Sequence, residues 1–99
     1  MTLANILTKA SGNMAGLFQY NHNDKSHMSL YTGDCIGFDS LGFTVDGSTV
    51  SLFDTVDSTV HFTFDIASFI LDKFSPKRGK GHNKATFAIG SDRYVFTFA

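Results

Sequence analysis

Between Gly42 and Phe53 the chain reads GFTV, then DG, then STVSLF. Apolar and polar residues alternate on both sides of a dipeptide that tolerates positive φ, a combination that specifies an antiparallel hairpin. A two-residue turn at Asp46-Gly47 sets Phe43 opposite Val50 and Thr44 opposite Thr49, so each face of the pair is uniform in polarity. The same alternation recurs along most of the chain. Met14 to His22 carries Phe18 and Tyr20 on one side, and Asn21 to Asp24 is a polar break. His27 to Tyr31 then alternates again, giving a first hairpin. Thr32-Gly33-Asp34 turns the chain into Cys35 to Phe38, and Asp39-Ser40 is a further break. After a polar connection at Asp54 to Ser58, Thr59 to Phe64 places Val60, Phe62 and Phe64 inward. Thr86 to Ile89 and Arg93 to Phe98 form a last hairpin around Gly90-Ser91-Asp92.

Two segments read instead as helices. Leu3, Ile6, Leu7 and Ala10 recur at helical spacing after a Thr2 cap, and Ser11-Gly12-Asn13 stops them. Two turns of helix are too short to stand alone, so this one must dock on the sheet. Asp65 is placed to cap a second helix with Ile66, Phe69, Ile70 and Phe74 on one face, ended by Ser75-Pro76. The resulting fold class is α+β: a mostly antiparallel sheet of about six or seven short strands with two short helices packed on it. Residues 1–99 form a single globular domain. At 99 residues, 42% of them apolar and eleven of them Phe, the chain can build one modest core but not two.

The opening MTLANILTKASGN has no basic n-region, and no run approaches the ~18 apolar residues of a membrane span. The expectation is a soluble cytoplasmic protein without a signal peptide and without membrane contact. Cys35 is the single cysteine, which excludes an intrachain disulfide and reads as a small buried hydrophobe.

Charge is distributed unevenly. Residues 34 to 72 hold seven aspartates and no Lys or Arg, whereas residues 73 to 99 hold six cations against Asp92 alone. Four of those cations lie in Ser75 to Lys84, SPKRGKGHNK, together with two glycines that would let backbone amides approach an anion. The candidate binding residues are therefore Lys73, Lys77, Arg78, Lys80, His82, Lys84 and Arg93. Arg78 offers bidentate contacts that the lysines cannot make. The spacing is not that of a nucleotide-binding loop, and the stretch follows the second helix rather than preceding one. Lys73 and Lys77 would also face that helix's negative end. The aspartates suit turns and caps, since their short side chains bond nearby amides.

Signatures of catalysis are sparse. No nucleophile elbow, HExxH, Walker loop or CxxC pair is present. His61 near Asp65, and His82 within the cationic stretch, are the candidate general bases, with His61 expected on a sheet face away from the core. Asp54 with Asp57, or His22 with His27, are too few donors for calcium or zinc. No catalytic residue, metal or cofactor is assigned. Arg93 to Phe98 lacks the internal glycines of an RNA-recognition motif strand, and the βαββαβ order is missing.

These features point to a small non-catalytic binding protein that engages a protein or a nucleoprotein complex through segregated basic and acidic surfaces. In size and composition the chain resembles compact phage- or mobile-element-encoded inhibitors, anti-CRISPR proteins among them. Tyr31 and Tyr94 would serve as aromatic anchors. The alternative is direct nucleic-acid binding through residues 77–84, and a third reading is a small hydrolase or nuclease using His82 with Lys80. An exposed sheet edge would let two copies pair as a homodimer.

Overall fold

A computed structural model describes residues 2–20 and 31–99. Helix α1 (Leu3–Ala10) is followed by eight strands among these residues: β1 (Ala15–Tyr20), β2 (Tyr31–Phe38), β3 (Leu41–Asp46), β4 (Thr49–Asp54), β5 (Val60–Asp65), β6 (Phe69–Ser75), β7 (Asn83–Ile89) and β8 (Asp92–Phe98). Every pairing is antiparallel. One sheet has the order β2-β1-β8-β7-β6 and the other β3-β4-β5. The polar break at residues 21–24 and most of the strand expected over 27–31 lie outside the described residues.

Helix α1 forms where its periodicity places it. The Thr2 hydroxyl accepts from the Asn5 N–H at 3.2 Å, and Ile6, Leu7 and Ala10 are buried. Its exit is fastened to β3 by Gly12 N–H to Leu41 O at 2.8 Å and Leu41 N–H to Asn13 O at 3.0 Å. Docking is what gives so short a helix its stability. No helix among the described residues is long and apolar enough to cross a membrane.

The second helix is not formed. Asp65 does accept from the Ala67 N–H at 2.9 Å, yet what it caps is a single 3₁₀ turn, Ile66–Ser68. The chain then continues as β6. The segment FILDKF is rich in strand-forming residues, and a bulge explains its misleading periodicity. Leu71 pairs with Phe87 and Lys73 with Thr86, which leaves Asp72 as the extra residue. Phe69, Leu71 and Phe74 all pack on the core, at a spacing no uninterrupted strand would show. The domain is thus predominantly antiparallel β with one helix, rather than a sheet carrying two.

Bulges also account for two other departures. Thr32-Gly33-Asp34 makes no turn; it lies inside β2, where pairing shifts between Phe18↔Cys35 and Tyr20↔Tyr31. On β5, Phe53 pairs with Val60 and Leu52 with Phe62, so His61 is extra and the alternation reverses there. Val60 consequently points out, 54% exposed, while Phe64 is buried. Exposed His61 sets its ring edge-on to Phe38 at 5.7 Å.

The β3–β4 hairpin turns one residue later than Asp46-Gly47. Asp46 pairs with Thr49, Val45 with Val50 and Phe43 with Leu52, leaving Gly47-Ser48 as the turn. Gly47 has φ +62° and Ser48 has no positive φ, which fits a type II′ turn and spares Asp46 the left-handed region that type I′ would impose. Gly90-Ser91 repeats the device between β7 and β8, with Gly90 at φ +62°.

The two sheets meet through a closed circuit of aromatic rings. Phe62 and Phe64 of β5, Phe69 of β6, Phe87 of β7 and Tyr94 of β8 touch in succession at centroid separations of 4.9 to 6.0 Å. Tyr94 is buried within this circuit, so it is not the exposed anchor expected from sequence. Burial raises its phenol pKa above the ordinary 10.0, and Asp92 adds to the effect. Under α1 the apolar seam encloses only about 10 Å³, too little for a ligand.

Candidate functional site

The strand register sorts the cations. Inner positions of β7 and β8, such as Ala85, Phe87, Phe96 and Phe98, belong to the core. Their alternates form the opposite face of the five-stranded sheet. One row across that face runs Ser75, Lys84, Thr97, Gly16; the next runs Lys73, Thr86, Val95, Phe18; the third brings Ile70 and Ala88 beside Arg93. Lys73, Lys84 and Arg93, separated by as many as twenty positions in sequence, therefore share one face. Lys73 and Lys84 are exposed, Arg93 is half-buried, and Val95 is buried at the centre.

The remaining candidates extend this face at one end. Residues 76–82 link β6 to β7 as a hairpin loop, not as the sequel to a helix, so no helix terminus neutralises Lys73 or Lys77. The loop is folded. Gly81 N–H donates to Arg78 O at 3.1 Å, closing a turn whose first inner residue, Gly79, has φ +60°. Lys77 N–H donates to Oδ1 of buried Asn83 at 3.0 Å, and Asn83 Nδ2 donates to Ala99 O at 3.4 Å. Asn83 thereby ties the loop to the body of the sheet. Lys77, Arg78, Lys80 and His82 are all exposed. His82 borders a shallow cavity of about 140 Å³ with Met14, Ala15, Gly16 and Thr97. Of these neighbours only Thr97 carries a polar side chain.

On β6 and β7 the face dips into a second cavity of about 90 Å³, lined by Lys73, Ser75, Lys84 and Thr86. Two lysines and two hydroxyl-bearing residues line it. The bulged Asp72 sits beside them, and Thr86 Oγ1 donates to its carboxylate at 3.4 Å and to Lys73 O at 3.5 Å. Sequence inspection misses Ser75 and Thr86, because only pairing of β6 with β7 sets them among the lysines.

Three acidic residues, Asp46, Asp54 and Asp65, lie on the other sheet, whereas Asp34, Asp72 and Asp92 lie on strands of the five-stranded one. Asp46 and Asp65 flank Thr49 in one row of β3-β4-β5, a sheet with no Lys or Arg. Others act locally. Asp57 accepts from the Thr59 N–H at 2.9 Å. Buried Asp54 accepts from the N–H groups of Asp39 at 2.8 Å, Ser40 at 3.3 Å and Val56 at 3.0 Å, clamping two turns together. The Asp39 N–H, then that of Val56, holds its pKa below the ordinary 3.8; burial opposes, while Ser40 and His61 assist.

Neither a protein-family model nor a curated protein nor a solved structure matches this chain. Among the described residues no three His, Cys, Asp or Glu side chains group as metal ligands, and His22 and His27 lie outside those residues. Cys35 is exposed on β2 rather than buried, at an outer strand of the sheet.

Proposed function

We propose that this chain is a non-catalytic binding protein that attaches to nucleic acid, free or within a nucleoprotein complex, by holding backbone phosphates on its basic sheet face. The observation that carries the reading is the placement of Lys73, Lys84 and Arg93 on one face of three adjacent strands, with the exposed cations of the 76–82 loop at the end of β6 and β7. Hydroxyl-bearing neighbours and a folded loop suit an oxyanion lattice better than a greasy partner. Five phosphate contacts give a log-log salt slope of about −4.5 on duplex DNA and about −3.5 on a single strand. Lys80→Ala lowers the slope's magnitude by about one on duplex. Affinity that does not change with salt, or no binding at low salt, rejects the reading.

The charge segregation supports a second reading, an inhibitor of phage or mobile-element type acting on a protein. The cation-free β3-β4-β5 sheet would meet a basic partner, with electrostatics setting orientation and association rate. Affinity capture from the native host, with and without nuclease, separates the two. A nuclease-resistant protein partner favours the second, and loss of the captured partner favours the first.

A further inference from the structure

The basic face is more than a diffuse positive field. The geometry points to a discrete phosphodiester subsite in the cleft between β6 and β7, built from Lys73, Ser75, Lys84 and Thr86, and seating one phosphate of a nucleic-acid backbone. This inference rests on the nucleic-acid reading above and adds a specific seat to it.

Antiparallel pairing sets Lys73 opposite Thr86 and Ser75 opposite Lys84, so each lysine is paired across the strands with a hydroxyl-bearing residue. The cleft holds about 90 Å³. That is well above the ~10–15 Å³ needed to seat one water, so the cleft has room for a small oxyanion. Its four residues offer groups suited to an oxyanion: two ammoniums for charge-assisted bonds and two hydroxyls for neutral ones. Ser75 is half-buried next to Pro76 and Thr86 is half-buried in the strand, so the hydroxyl-bearing residues sit on rigid elements, while Lys73 and Lys84 are exposed. Asp72 modulates the site. Its carboxylate both repels an anion and draws the Thr86 hydroxyl toward itself, at 3.4 Å. A bound phosphate would compete for that hydroxyl, so the site favours a multivalent ligand anchored elsewhere on the face over a free ion.

The test uses the whole chain with a labelled 12-nucleotide single strand at low salt, and with inorganic phosphate followed by backbone-amide NMR. Ser75→Ala with Thr86→Val leaves every charge in place and should weaken oligonucleotide binding about 5- to 10-fold. Asp72→Asn should tighten it about 2- to 3-fold. Phosphate should shift the amides of Ser75, Lys84 and Thr86 before those of residues 77–81. If Lys73→Ala and Lys84→Ala weaken binding while the hydroxyl double variant does not, the subsite is refuted and the basic face survives as a diffuse field. If no oligonucleotide binds at low salt, the functional reading falls too, and the subsite with it as a seat for backbone phosphate. Phosphate shifts that recur unchanged in the hydroxyl double variant also overturn the subsite.

Discussion

Asn83 is the place to ask whether the basic loop is a built part of the surface. Its side chain is 8% exposed and makes two bonds, accepting from Lys77 N–H at 3.0 Å and donating to Ala99 O at 3.4 Å. Asn83→Ala removes both. The first is a good amide bond, worth about 1 kcal/mol net; the second is long and contributes about half as much. Lys77 is exposed, so water can reach its freed N–H and the full penalty for a buried orphan does not apply. The expected loss is therefore about 1 to 2 kcal/mol, a fall in Tm of roughly 4 to 16 °C for a domain of this size. Hydrogen exchange at the Lys77 amide should accelerate about 5- to 30-fold, following the same free energy. Oligonucleotide affinity should drop with it, because ordering an unpinned loop now costs entropy on binding. An unchanged Tm together with unchanged exchange at Lys77 would refute the idea that Asn83 anchors the loop.

Two further outcomes test the scaffold. Asp54 is held below its ordinary pKa of 3.8, so its stabilisation is complete above that value and is lost as pH falls through the lowered one. Thermal melts from about pH 6 to pH 2 should show an acid limb that is shallower in Asp54→Asn, a less stable variant at neutral pH; parallel limbs would contradict the assignment. Gly47→Ala and Gly90→Ala force a Cβ into φ +62° at each turn and should each cost about 1 kcal/mol or more in urea unfolding, with m unchanged. A neutral result at both positions would argue against the type II′ assignment.

Much of the strand framework was legible because a period of two is hard to mistake where it runs unbroken, as in Gly42 to Val45 and Arg93 to Phe98. The errors concentrate at bulges. One extra residue at Asp72 turned a strand into an apparent helix, another at His61 put Val60 on the wrong side, and the irregularity around Thr32 to Asp34 looked like a turn. A bulge is a departure from period that only the partner strand reveals. The candidate cations were legible as composition, since charge needs no fold to be counted. Their common face was not legible. Lys73 and Lys84 become neighbours only because residues 69–75 are a strand, and Arg93 joins them through β8. Tyr94 illustrates the reverse, since its neighbours in sequence do not reveal the aromatic circuit that buries it.

The position of β8 has a kinetic consequence. It follows the other described strands in sequence yet is the middle strand of its sheet, joined to β1 by pairs such as Ala15↔Phe98. Until β8 emerges from the ribosome, β1 and β7 each lack a central neighbour and present open hydrogen-bonding edges, whereas β3-β4-β5 can close from contacts near in sequence. Folding should accordingly proceed in two unequal stages, an early local meander and a late closure across nearly the whole chain. The interval between them is when this protein would be most exposed to aggregation.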